Sequence, residues 1–262
     1  MKKAKNSYTV MMAVMMLVPV FSFAKLQVKA SKIIDQINDG KPVQYENVGI
    51  IGDLDFTSIK DITLDKPFRR SRNTTKTYSC HIKSPLSFIN CVFRGDVIGY
   101  VHDDWKNETH NAVFHEDVDF QGCNFQALSA FKYAKFFGKS NFENTQFHKE
   151  AFFKYAKFST KASFSNAYFY DDANFKYTNF PKAVNFDKAT FRCLANFKYT
   201  EFPLGVNFEN AEFNGEACFK YTKFHEPINF DGAAFNDDVD FKYTKLDGRS
   251  FTLDLLNKKT RR

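Results

Sequence analysis

The chain has 262 residues, 33 of them Phe, with 26% charged residues and a formal net charge of +7. Its length and an apolar content of 44% supply a sizeable core and exclude a disordered chain. Five cysteines, odd in number and sparse, exclude a disulfide scaffold.

Residues 1–24 read as an export signal. Lys2, Lys3 and Lys5 form a basic start, Val10 to Phe23 an apolar stretch, and Ser22-Phe23-Ala24 a cleavage site after Ala24. The apolar run is short for a membrane span, so a membrane association is expected only if the signal stays uncleaved. A short helix is predicted from Ser31, as N-cap, to Asp39, with Gly40 as its stop, inside a cap that shields the strand edges at the N-terminal end of the fold. Asp65 to Cys80 is polar and basic and reads as an excursion loop, and imperfect repeats return at Leu86-Ser-Phe88 and Cys91-Val-Phe93. Val101 to Asn111 reads as a second loop, holding Trp105.

From Phe114 to Leu246 a large apolar residue recurs after five, then six residues, closing on periods of 11 and 22. A fixed period in this range marks a solenoid of stacked units. Steps of five and six turn by about 500° and 600° on an α-helix and scatter the Phe residues around its axis. A strand is the better reading. Two residues before each Phe stands a small or β-branched residue, as in Ala134, Ala156, Val184 and Ile228, and between them often Asn or Asp, as in Asn141, Asn174 and Asp240. The six-residue steps contain the turn formers, including Gly138, Pro181, Gly215 and Pro227.

Small residue, Asn or Asp, large apolar residue, two free positions: this pattern resembles the pentapeptide-repeat family, with Phe in place of Leu and one extra residue in every second unit. The resemblance implies an all-β fold, a right-handed quadrilateral parallel β-helix of about six coils of 22 residues, headed by an N-terminal cap containing a short helix. The resulting division is residues 1–24 signal, 25–111 cap and irregular first coils with loops, 112–246 solenoid, and 247–262 C-terminal cap and basic tail.

Within the solenoid the charges are sorted by column. Lys132, Lys154, Lys176, Lys198, Lys220 and Lys242 recur every 22 residues, each followed by Tyr133, Tyr155, Tyr177, Tyr199, Tyr221 or Tyr243. The matching positions two units away are Gln121, Glu143, Ser165, Asp187, Glu209 and Asp231. The Lys column, with Tyr rings as stacking platforms, is a candidate site for an anionic glycan. Residues 112–246 hold 16 Lys plus Arg against 17 Asp plus Glu, too balanced for an acidic DNA mimic, and no nucleic-acid partner is expected. His102, Asp104 and His110 in the Val101 loop are weak metal candidates without a metal-motif spacing. No nucleophile with its base appears and no cofactor is implied. The expectation is a non-enzymatic exported scaffold, periplasmic or extracellular, for protein or envelope contacts. An anionic-glycan module or a lyase-like β-helix enzyme is the alternative.

Overall fold

The computed structural model describes residues 26–65, 75–252 and 255–256. The signal with Ala24, most of the basic segment beginning at Lys66 and the C-terminal basic residues lie outside them. No helix among the described residues is long and apolar enough to cross a membrane.

The Phe period builds a four-sided parallel β-solenoid. The face ahead of the Phe120 column stacks eight strands, from Val43–Glu46 through Val118–Asp119 to Ile228–Asn229. The Phe125 face stacks nine, from Leu26–Lys29 to Ala234–Phe235, and the Phe131 face eight, from Leu54–Asp55 to Val239–Asp240. The Phe136 face is split into six-stranded and four-stranded pieces, linked by isolated bridges from Asn179 to Lys157 and Glu201. Register follows the sequence period: Val118 pairs with Ser140, Ala162 with Val184 and Val206 with Ile228, each 22 residues on. The irregular segment before Ala112 adds two further levels to the Phe120 face, Val43–Glu46 and Leu86–Ile89, and three to the Phe125 face, Leu26–Lys29, Val48–Ile51 and Val92–Phe93.

Inside, each Phe column stacks on itself. Phe153 and Phe175 lie 5.1 Å apart with planes at 2°, while adjoining columns meet edge to face, as Phe164 does Phe175 at 5.2 Å and 82°. Both are the arrangements that aromatic quadrupoles favour. Burying each ring stabilises the stack by roughly 1.5–3 kcal/mol. Where the inward residue is Thr it is satisfied: Thr178, Thr200 and Thr222 are buried and donate their hydroxyls to the carbonyls of Phe153, Phe175 and Phe197, whereas the buried hydroxyls of Ser129 and Ser140 have no partner among the described residues. At the last coil packing loosens, where Ala233, Phe235 and Val239 are partly buried and Phe251 folds over Phe241 at 5.0 Å.

Several of the Asn residues that precede a Phe work at the corner. Asn141, Asn185 and Asn207 accept the N–H two residues on, from Glu143, Asp187 and Glu209, and Asn196 does so from Lys198, the side-chain turn that favours this residue. At the enlarged corners Gly138 is required by space, since a Cβ there would overlap the backbone of Glu116 and Asp117.

Three expectations are corrected. The helix is Ala30–Asn38 with Lys29 as N-cap and no side-chain cap, because the preceding strand runs directly into it and places Ser31 in the first turn; its end at Gly40, φ +69°, is as expected. The Val101 segment is a hairpin, Tyr100–Asp103 against Glu108–Phe114. Its turn is held by Asp103 accepting the N–H groups of Trp105 and Lys106, with Asn107 at φ +50°. The described end of the excursion before Cys80 is strand as well: Lys76–Ile82 pairs with Glu108–Phe114 on one side and Ile62–Leu64 on the other.

Candidate anion-binding site

Between the Phe131 and Phe136 faces the chain turns after two residues, and those residues are Lys and Tyr. Each Tyr takes a left-handed backbone: φ is +56° at Tyr133, +61° at Tyr155, +58° at Tyr177, +61° at Tyr199 and Tyr221, and +63° at Tyr243. Bulky residues are rare there, because Cβ crowds the following carbonyl at a cost of roughly 1–2 kcal/mol. At the diagonally opposite corner the same backbone is taken by Gly122, Asn144, Asn166, Lys188, Asn210 and Gly232, mostly residues suited to it.

The Tyr rings form one continuous stack. Tyr155 and Tyr177 are 4.8 Å apart at 3°, Tyr177 and Tyr199 4.6 Å at 2°, Tyr199 and Tyr221 4.7 Å at 3°. Ring faces within the stack are thereby covered by their neighbours, and only the outer face of Tyr243, at the end of the ridge, has no ring against it among the described residues, so the expected stacking platforms for a ligand are absent along the ridge. Ring edges and hydroxyls are what the ridge presents. Beside it run the ammonium groups, each Nζ 5.2–5.8 Å from the centre of its own Tyr ring, within cation–π range.

Among the described residues none of the six Lys in this column has a carboxylate partner. Burial, with Lys176 and Lys132 close by, holds the Lys154 ammonium below the usual lysine range. Burial likewise raises the Tyr177 hydroxyl, helped by Tyr199 and Tyr155. At its N-terminal end the ridge abuts the hairpin: Lys132 donates to the Tyr100 hydroxyl at 3.2 Å, and the Tyr100 ring lies 5.7 Å from Tyr133.

The acidic column is different. Glu143 accepts from Ser163 at 2.8 Å, Asp187 pairs with Lys188 at 3.7 Å and Glu209 accepts from Asn229 at 3.2 Å.

The metal candidates are not brought together. His102 and His110 stand on opposite sides of the hairpin, since His102 faces Thr109 and Val101 faces His110. His102 contacts Asp104 at 3.2 Å, while His110 stacks on Tyr78 at 4.7 Å. Strand alternation explains the separation. Cys91 and Cys123 fill inward positions as expected, and Cys80, buried beneath Thr57 and His110, faces neither of them. Burial pushes the Cys80 thiol up to about 12, so it is inert at neutral pH.

Two groupings escaped the sequence reading. Asp171, Asp172 and Cys193 bring three ligand atoms within 4.8 Å of one another; the 22-residue step from Asp171 to Cys193 was the signal. A second Lys column, Lys135, Lys157, Lys223 and Lys245, recurs four residues after its Phe on the other flank of the Tyr ridge.

A family profile described as pentapeptide repeats (9 copies) matches residues 110–157, 131–178, 153–201 and 175–222. Searches of the curated proteins and of the solved structures give no match. The repeat segment, with its small–Asn–Phe units and four-sided parallel stack, belongs to the pentapeptide-repeat family.

Proposed function

We propose that the chain is a non-enzymatic exported scaffold for envelope contacts, whose working surface is the Lys/Tyr corner and whose ligand there is an anionic glycan. The observation that carries this is the unpaired Lys column. Six ammonium groups stacked about one strand spacing apart, roughly 4.8 Å, repel one another, and nothing among the described residues neutralises them. A linear polyanion would supply the missing charge. The Tyr hydroxyls beside each ammonium add donors for the oxygens of such a chain. Export is supported by the basic, apolar and small-residue pattern of residues 1–24. The lyase-like alternative would use the Val101 hairpin, where the coil pattern is broken and His102 and His110 stand on opposite sides.

The test is titration of the mature protein with acidic and neutral glycans at low and high salt. Acidic chains should bind, less tightly as salt rises, and neutral ones should not. Equal binding of both, or none of the acidic chain at low salt, contradicts the proposal.

A further inference from the structure

The repeating segment at the cationic corner reads Phe-Lys-Tyr-Ala-Lys at Phe131 and Phe153, and Phe-Lys-Tyr-Thr-Lys at Phe219 and Phe241. Its last Lys stands on the Phe136 face between two buried residues, as Lys135 does between Ala134 and Phe136, and strand alternation therefore turns it outward. Lys135 and Lys157 are direct partners in the parallel ladder, as are Lys223 and Lys245. Like charges so placed are unfavourable. Of these four, only Lys223 has a carboxylate, Glu201 at 3.4 Å, among the described residues. In the middle coils Asn179 and Glu201 interrupt the column.

We infer that the Tyr ridge is gripped from both flanks, by the Lys154 column on one side and by Lys135, Lys157 and Lys245 on the other, and that its ligand is a ribbon-like acidic glycan. The inference rests on the anion-binding reading and narrows it. In an extended ribbon of this kind successive sugar rings turn over and put their carboxylates out on alternate sides, which suits cations on both flanks of a narrow ridge. The coil rise of about 4.8 Å is close to the length of one sugar ring. Nucleic acid fits less well, because single strands are held by stacking bases on open aromatic faces and the Tyr faces are occupied by each other at 4.6–4.8 Å. The grip is densest over the first two regular coils, where both columns are present, and thins at Asn179 and Glu201.

The experiment titrates polymannuronate oligosaccharide into the full chain at low and high salt. It compares the parent with Lys135→Gln/Lys157→Gln and with Lys154→Gln/Lys176→Gln, each first shown to melt like the parent. Both double variants should weaken binding about tenfold at low salt and flatten its salt dependence. Parent-like binding by the Lys135/Lys157 variant, with loss in the other, overturns the two-sided grip and leaves the anion-binding reading standing. Parent-like binding by both, or no binding by the parent, overturns both readings. A single-stranded oligothymidylate that binds as tightly as the uronate overturns the glycan assignment alone.

Discussion

Two diagonally opposite corners of the solenoid solve one geometric problem with different residues. Both need a left-handed residue in every coil. The acidic corner mostly uses Asn or Gly and ties Glu143, Asp187 and Glu209 to neighbours. At the cationic corner stand six Tyr in the same backbone, beside six Lys with no carboxylate partner among the described residues. The first is what folding alone selects. The second carries backbone strain and charge repulsion that folding does not require, and sites of function are where such costs collect.

That contrast presumes a common core from which both corners hang, and the largest effect tests the presumption. Phe197→Ala should lose about 3–5 kcal/mol by opening a cavity. Lys198→Ala, one residue on, should change stability by less than about 0.5 kcal/mol. Equal shifts in urea melts would mean that the corner is part of the core.

Exchanging the corner residues sharpens the comparison. Asn166→Tyr moves an aromatic ring into a left-handed position without a Tyr neighbour in its column and should cost about 1–2 kcal/mol. Tyr177→Asn loses two ring contacts, worth about 0.5–1.5 kcal/mol each, but relieves the strain, so its net change should stay under about 1 kcal/mol. A loss above about 2 kcal/mol would make the Tyr ridge a structural element instead.

A smaller effect separates the corners by charge. Lys176→Gln should raise stability at low salt by up to about 0.5 kcal/mol, a gain that fades as salt rises. Glu143→Gln should bring no such gain. Thermal melts at two ionic strengths decide between them.

The smallest effect lies away from both corners and serves as their control. Burial and the adjoining His81 hold the His115 imidazole below its ordinary 6.5, with the two rings 2.9 Å apart at their nearest nitrogens. A lowered folded value means that the stability contributed is present above pH 6.5 and is lost as pH falls through the folded value. His115→Asn should flatten this fall in melts below pH 6.5, whereas Lys198→Gln should leave it unchanged.

The fold was legible because Phe every five and six residues leaves the helix no consistent face, and because the Asn before each Phe and the Gly and Pro of the longer steps mark the corners. The columns of Lys, Tyr and acid were legible from the same period. The state of the Tyr side chains was not. Turn chemistry does not choose Tyr for a left-handed site, and only the fixed direction of that backbone lays each ring on the next. The hairpin was hidden too, since Trp105, Lys106 and Asn107 read as loop, although Asn107 was a turn signal. The Lys135 column was present in the letters, two residues beyond the Lys-Tyr pair.

The most direct test of the claim that one corner binds and the other only folds is a paired titration with acidic glycan at low salt. One protein carries Lys154→Gln, Lys176→Gln and Lys198→Gln, the other Glu143→Gln, Asp187→Asn and Glu209→Gln. Loss of binding in the first with parent-like or tighter binding in the second is the predicted result. Parent-like binding in the first, or loss in the second alone, would contradict the account.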